Sequence, residues 1–151
     1  MATITVDEVP IDLLKMHGED LFRLHYLELS KDTDRDLAPD WATLAYLEEL
    51  DHLHTVVAFD DDELIGYSVS ILAKRHMHYP FGYVQNDVLF VRKSHRGTSV
   101  GGRLMQAVRD WAKARGAAEV MWHAKDGTPL HTMLDRSDRF MLRDHIYAER
   151  I

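Results

Sequence analysis

Cysteine is absent from the 151 residues. This excludes disulfides, thiolate metal sites and a cysteine nucleophile, and it suits a cytoplasmic setting. Long apolar runs are absent as well: none approaches the roughly 20 residues needed to cross a bilayer. The opening Met1-Ala2-Thr3-Ile4-Thr5-Val6-Asp7-Glu8 has no basic start leading into an apolar stretch, so neither membrane insertion nor export is expected. Net positive charge is also missing. A formal charge of -7 opposes nucleic-acid binding by phosphate neutralisation and leaves a cationic acceptor, or a small anion gripped locally. No repeat, linker or low-complexity segment interrupts the chain. At 46% hydrophobic it is expected to fold as one domain over residues 1–151 around a single core.

What is present centres on Arg96-Gly97-Thr98-Ser99-Val100-Gly101-Gly102. An apolar run over 84–91 precedes this stretch, and an amphipathic segment to Ala114 follows it, so it reads as strand, glycine-rich turn and helix. The first N–H groups of a helix have no partner within it and stand at the positive end of its dipole, and glycine lets a polyanion reach the main chain. A tight turn with close helix packing is the plainer alternative for so short a pattern.

The flanking pattern predicts a strand over 3–6, a helix over 10–29 and a helix over 41–50 capped by Asp40. Strands follow over 55–59, 64–72 and 83–91, the first two joined by a solvated turn at Asp60 to Glu63. After the glycine loop come a helix over 100–114, a strand over 119–123, a short helix from Pro129 to about Asp135, and an extended last segment over 140–151. Val100, Leu104, Val108, Trp111 and Ala112 recur every three or four residues and form a core-facing stripe that fixes the helix start in place.

The spacing narrows the kind of phosphate loop. A nucleotide-triphosphate loop needs Lys-Ser or Lys-Thr after its last glycine, whereas Gly101 is followed by Gly102-Arg103. A dinucleotide fingerprint needs three glycines at its own spacing near the start of a βαβ unit. Arg96, Ser99 and Gly101 instead resemble motif A of the GNAT acyl-CoA N-acyltransferases, Gln/Arg-x-x-Gly-x-Gly/Ala, with Ser99 where the motif has glycine. The element order is similar to that of a GNAT domain over nearly the whole chain. His78-Tyr79, Asn86-Asp87-Val88-Leu89-Phe90-Val91, His123-Ala124-Lys125 and Tyr147 resemble the subset common in tailed bacteriophages and prophages.

The resemblance implies an α/β GNAT fold. Its sheet would be mixed but mostly antiparallel, with six to seven strands, a splay between the two central ones, and about four flanking helices. Acetyl-CoA is then the co-substrate, without a metal. Its pyrophosphate would lie on Arg96, Gly97, Thr98, Ser99, Val100, Gly101 and Gly102, and its pantetheine arm in the splay against the backbone of Phe90 and Val91. The acceptor would be an amine on a small molecule or a protein, in the cytoplasm, or in the host cytoplasm if the protein is phage-encoded. A homodimer is compatible with the family.

An amine with a pKa of roughly 10.4 must lose a proton before it attacks a thioester, so a carboxylate or histidine beside the splay is useful. Asp87, charged within an apolar strand, is the candidate base, with a structural carboxylate as the alternative. His123 is a candidate for orienting the acceptor or relaying a proton, or else an ordinary strand-end histidine. The tyrosine that many GNAT enzymes place near the thiol is missing from 134–140. Tyr147 replaces it only if the last strand carries it to the thiol. His76 and His78 are placed on the acceptor side, and neither His52-x-His54 nor His76-x-His78 supplies the four ligands of a closed zinc site. The acidic run Asp32, Asp34, Asp36 and Asp40 is a charged loop or one flank of a cationic acceptor's site. Two other classes stay open: a catalytically inactive GNAT-fold binding or virion/host-interaction module, and an acyltransferase-like domain for a different phosphate ligand.

Overall fold

A computed structural model describes residues 3–31 and 34–151. In chain order it contains β1 (Ile4–Glu8), α1 (Ile11–His17), α2 (Glu19–Leu29), α3 (Trp41–Glu49), β2 (Leu53–Asp60), β3 (Glu63–Ala73), β4 (Tyr83–Val91), a 3-10 turn (Lys93–His95), α4 (Val100–Ala114), β5 (Glu119–Trp122) and α5 (Pro129–Arg136). The strands form one sheet in the order β1-β2-β3-β4-β5. The first four pair antiparallel, and β5 joins β4 in parallel.

Alternation along the strands sends side chains to two different helix layers. Tyr67, Val69, Val88 and Phe90 face α1, α2 and α3, together with Ile11, Leu14 and Leu21. Leu89 and Val91 face α4, whose Val100 and Leu104 pack on Val56, Ala58 and Ile65, while Val108, Trp111 and Ala112 cover Leu72 and Val84. All five residues of the α4 stripe are buried, as their spacing predicts. His54 lies in this second layer, 2% exposed and stacked on Trp111 at 5.0 Å between centroids, with the Arg115 guanidinium over the same Trp111 ring. Burial first, and Arg115 second, push its pKa down to about 4.

Two features differ from the sequence expectation. The leucine-spaced segment over 10–29 is two helices, because the chain turns at Gly18, where a Cβ would stand 2.4 Å from the Leu14 carbonyl oxygen. The Gly18 N–H still donates to Leu14 and its carbonyl still accepts from Phe22, so the break changes the direction of the chain while keeping the hydrogen bonds. This raises the number of helices to five. The sheet has five strands rather than six or seven, because residues 140–151 join no ladder among the described residues. An extended chain becomes a strand only when an edge pairs with it, and pairing is not written in local sequence. The tail is held instead by ion pairs, Arg143 with Glu119 at 2.9 Å and Arg150 with Asp34 at 2.7 Å.

Candidate active site at the split between two strands

The parallel ladder between β4 and β5 runs from Tyr83–Glu119 to Asn86–Trp122 and stops there, while β4 continues for five more residues to Val91. Beyond Asn86 one edge of β4 therefore has no strand beside it. Arg92 donates its N–H to Ile65 of β3, and strand alternation then turns the backbone groups of Leu89 and Val91 toward the open edge and those of Phe90 toward β3. Of the two residues expected to contact the pantetheine arm, Val91 turns its main chain to the open edge, as Leu89 does, and Phe90 turns its own to β3. The Val91 carbonyl already accepts from Arg96 Nε at 2.9 Å.

Asp87 stands at the start of this opening. The β3–β4 register passes from Val69–Val88 to Ser70–Asn86, so Asp87 is the extra residue of a β-bulge, with no partner on β3. Bulges re-aim side chains, which accounts for an exposed carboxylate in a strand with no other charged residue. Beside it, Asn86 is fully buried and anchors the bulge. Its Nδ2 donates to Ser68 Oγ at 2.8 Å, to Ser70 Oγ at 3.0 Å and to the Val88 carbonyl at 3.2 Å.

The glycine loop lies at the other end of the opening. Gly97 takes φ +78, a conformation that side-chain-bearing residues rarely adopt, and Ser99 sits at φ -74, ψ -7 as the residue before α4. The amides of Gly97, Thr98 and Ser99 donate to no backbone carbonyl among the described residues. Gly101 and Gly102 begin the helix, where N–H groups have no intrahelical partner. A Cβ on Gly102 would meet nothing within 4 Å, and one on Gly101 only Val91 Cγ2 at 4.0 Å. The loop is thus an open cradle of donors that fits a pyrophosphate. It is tied down from behind by His95 Nε2 to Asp60 at 2.9 Å and by the Thr98 hydroxyl to the His95 carbonyl at 2.6 Å.

Arg96 bounds this cradle and does not line it. Its N–H donates to Lys93, and its guanidinium pairs with Glu28 and lies over the Phe90 ring at 5.2 Å. Because the backbone at Ser99 is ordinary, serine there presents its N–H as glycine would. Ser99→Gly is accordingly expected to leave coenzyme A affinity within about twofold, measured by calorimetry.

On the opposite face of the sheet, α1, α2, α3, β3 and β4 enclose a cavity of about 240 Å³ that reaches Asp87 and Val88. At its wall the Tyr67 hydroxyl and His25 Nδ1 are hydrogen-bonded at 2.5 Å, and His25 stacks on Phe90 at 4.5 Å. Burial, and then Lys125, lower the His25 pKa to about 4, while burial and the Asp87 charge raise that of Tyr67. At neutral pH the pair is a neutral imidazole hydrogen-bonded to a neutral phenol. Sequence reasoning missed both residues. The one available sign was that His25 follows the buried Leu21 by four positions on α2, and so shares its face.

The folded pKa values of His25 and His54 lie below the ordinary 6.5, so the unfolded chain binds more protons between about pH 6.5 and 4. Their contribution to stability is expected to be complete above pH 6.5 and to be lost as pH falls toward 4. Chemical denaturation across that range reads this directly.

The other expected site residues are dispersed. His123 follows the last β5 residue and is exposed, across the mouth of the opening from Asp87, since Asn86 and Trp122 are the last paired residues. Tyr147 is 89% exposed on the unpaired tail, so the condition for its acid role, a last strand bringing it inward, is not met. His76 and His78 belong to the β3–β4 connection, in an aromatic group with Tyr79, Phe81 and Tyr83, and do not line the cavity. They sit at the end of β4 remote from the opening. Of the acidic run, Asp32 lies outside the described residues, Asp34 pairs with Arg150, and Asp40 caps α3 through Thr43. Among its described residues that run gives Leu37 and Pro39 to the cavity, and no carboxylate; Asp36 is exposed.

A helix N-terminus thus stands beside a split mixed sheet, with a cavity on the far face. The chain belongs to the acetyltransferase (GNAT) family, whose sequence model matches residues 19–133. Among solved structures it is similar to an aminoglycoside acetyltransferase from an uncultured soil metagenomic sample in complex with sisomicin, at 16% identity and TM-score 0.72, covering 98% of this chain and 95% of that one. It is also similar to AAC(6')-Iy in complex with a bisubstrate analog, at 21% identity and TM-score 0.68, covering 99% of each chain. A third is a ribosomal-protein-alanine N-acetyltransferase from Brucella melitensis biovar Abortus 2308, at 16% identity and TM-score 0.70, again covering 99% of each. No curated protein sequence matches the chain.

Proposed function

We propose that this protein, acting as one domain over residues 1–151, transfers an acetyl group from acetyl-CoA to a primary amine by direct attack in a ternary complex. The observation that carries this reading is the arrangement of three features along one stretch of β4: its unpaired edge beyond Asn86, the cavity that reaches Asp87 at the start of that edge, and the donor cradle of α4 at its end. Membership of an acetyltransferase family supports it, as does the resemblance to a structure of AAC(6')-Iy in complex with CoA. The amides of 97–102 hold the pyrophosphate, and the pantetheine arm lies along Leu89 to Val91.

The amine enters from the cavity as an ammonium ion and gives a proton to Asp87, directly or through water. Its nitrogen lone pair then attacks the thioester carbonyl. The Val91 N–H, facing the opening, stabilises the oxyanion. As the tetrahedral intermediate collapses, the nitrogen gives its second proton to water, the C–S bond breaks, the N–C bond remains, and the thiolate takes a proton from water or His123. A thiol with a pKa of about 8.5 is a good leaving group, so no tyrosine is required. Lacking an inward-facing partner, Tyr147 contributes little.

A second reading, a family member that binds coenzyme A without turnover, is favoured by one observation: α5 and the residues after it bring no tyrosine to the opening. Release of free coenzyme A thiol on mixing acetyl-CoA with amines separates the two. The setting is cytoplasmic, in the host if the protein is phage-encoded.

A further inference from the structure

The lining of the cavity on the helix face specifies more than an amine. We infer that the acceptor is a small primary monoamine carried on an aromatic or branched apolar body, and that polyamines and aminoglycosides are poor acceptors. This inference rests on the acetyl-transfer reading and names the substrate class for the same site.

Size is the first argument. About 240 Å³ lies below the roughly 300–1,000 Å³ typical of pockets for drug-sized ligands, so the part of the acceptor that is enclosed has about one ring. Chemistry is the second. Phe22, Leu29, Leu37, Trp41, Leu44 and Val88 are among the apolar side chains that outnumber the polar ones in the wall, and the rings of Phe22 and Trp41 meet at 5.4 Å. Hydroxyl or ammonium groups set against that wall lose water without gaining a partner, which is the strongest basis a site has for rejecting a polar analogue. An aryl or branched alkyl body loses nothing and gains burial.

Charge is the third argument. Among the described residues lining the cavity, Asp87 is the one carboxylate and Lys125 the one ammonium. Of the acidic residues of the α2–α3 connection that were expected to attract a cation, Asp34 is paired with Arg150, Asp40 caps α3 through Thr43, and Asp36 is exposed; none of these three lines the cavity. His25 is neutral and bonded to Tyr67. One positive charge therefore finds a partner at Asp87, beside the opening where the thioester arrives. A second finds no further carboxylate among the described lining residues and is repelled by Lys125.

The test measures binding and turnover separately. Calorimetry on the full chain loaded with coenzyme A is expected to show 2-phenylethylamine and isoamylamine binding at least about tenfold more tightly than spermidine or sisomicin. Leu37→Glu adds a carboxylate to the wall at a position 46% exposed, where folding tolerates it. This variant should reverse the order of 2-phenylethylamine and spermidine while leaving coenzyme A affinity unchanged. Tighter binding of spermidine or sisomicin by the unaltered protein, or no binding of the apolar amines, overturns the inference whether or not thiol is released. If spermidine or sisomicin is the amine that releases thiol from acetyl-CoA, the inference fails and the transferase reading stands. If the apolar amines bind as expected but no amine releases thiol, the transferase reading fails and the cavity assignment stands.

Discussion

Gly101→Asp is expected to abolish measurable acetyl-CoA binding while leaving the fold intact. In the first turn of α4 the amide of residue 101 faces outward with its dipole, and a carboxylate there occupies the place of the pyrophosphate with the wrong sign of charge. The substitution is tolerable to the protein itself. A Cβ at this position has only Val91 Cγ2 for a neighbour, at 4.0 Å, and an acidic side chain in the first turn of a helix is mildly stabilising. Far-UV circular dichroism and the thermal midpoint should match those of the unaltered protein, with the calorimetric signal for acetyl-CoA gone. Gly101→Ala separates charge from bulk, because a methyl group in open space should weaken binding far less.

Asp87→Asn carries the second large effect. If Asp87 takes the proton of the amine, the amide cannot, and kcat should fall by roughly two to four orders of magnitude with coenzyme A affinity preserved. The alternative role, a carboxylate satisfying backbone groups, is weakened by the geometry. The residue is exposed, it is left over by the bulge, and its side chain has no hydrogen bond or ion pair among the described residues. Its removal should therefore leave the denaturation midpoint unchanged. Unaltered turnover in a folded variant would return Asp87 to the structural category.

The legible parts of this chain were those written in local pattern. The core stripe of α4 follows from apolar residues three and four apart, and the loop before it from glycines between an apolar strand and that stripe. Asp87 was visible because a charge inside the run over 84–91 needs a reason, which the bulge supplies. What sequence left unread depends on pairing across the fold. The His25–Tyr67 hydrogen bond joins residues 42 positions apart, and neither has a neighbour in sequence that announces the other. Leucine spacing persists through Gly18, so the turn there was hidden behind a periodicity that both helices share. The tail over 140–151 is extended yet unpaired, and no local signal distinguishes that from a strand. The charge of the acidic run points to a cation, but tertiary contacts use Asp40 for a cap and Asp34 for an ion pair, and turn Leu37 and Pro39 inward. His76 and His78 were assigned to the acceptor by residue type alone, and the register of β4 puts them at its far end.

The central claim is that the opening beside β4 is where a thioester meets an amine. Free coenzyme A thiol should appear when the protein is mixed with acetyl-CoA and an acceptor, at a rate that saturates with the amine and disappears in Gly101→Asp. The panel needs apolar monoamines, polyamines, aminoglycosides and peptides with free N-termini. Firm acetyl-CoA binding with no thiol above the uncatalysed rate from any of these classes would contradict the claim and leave a binding module in its place.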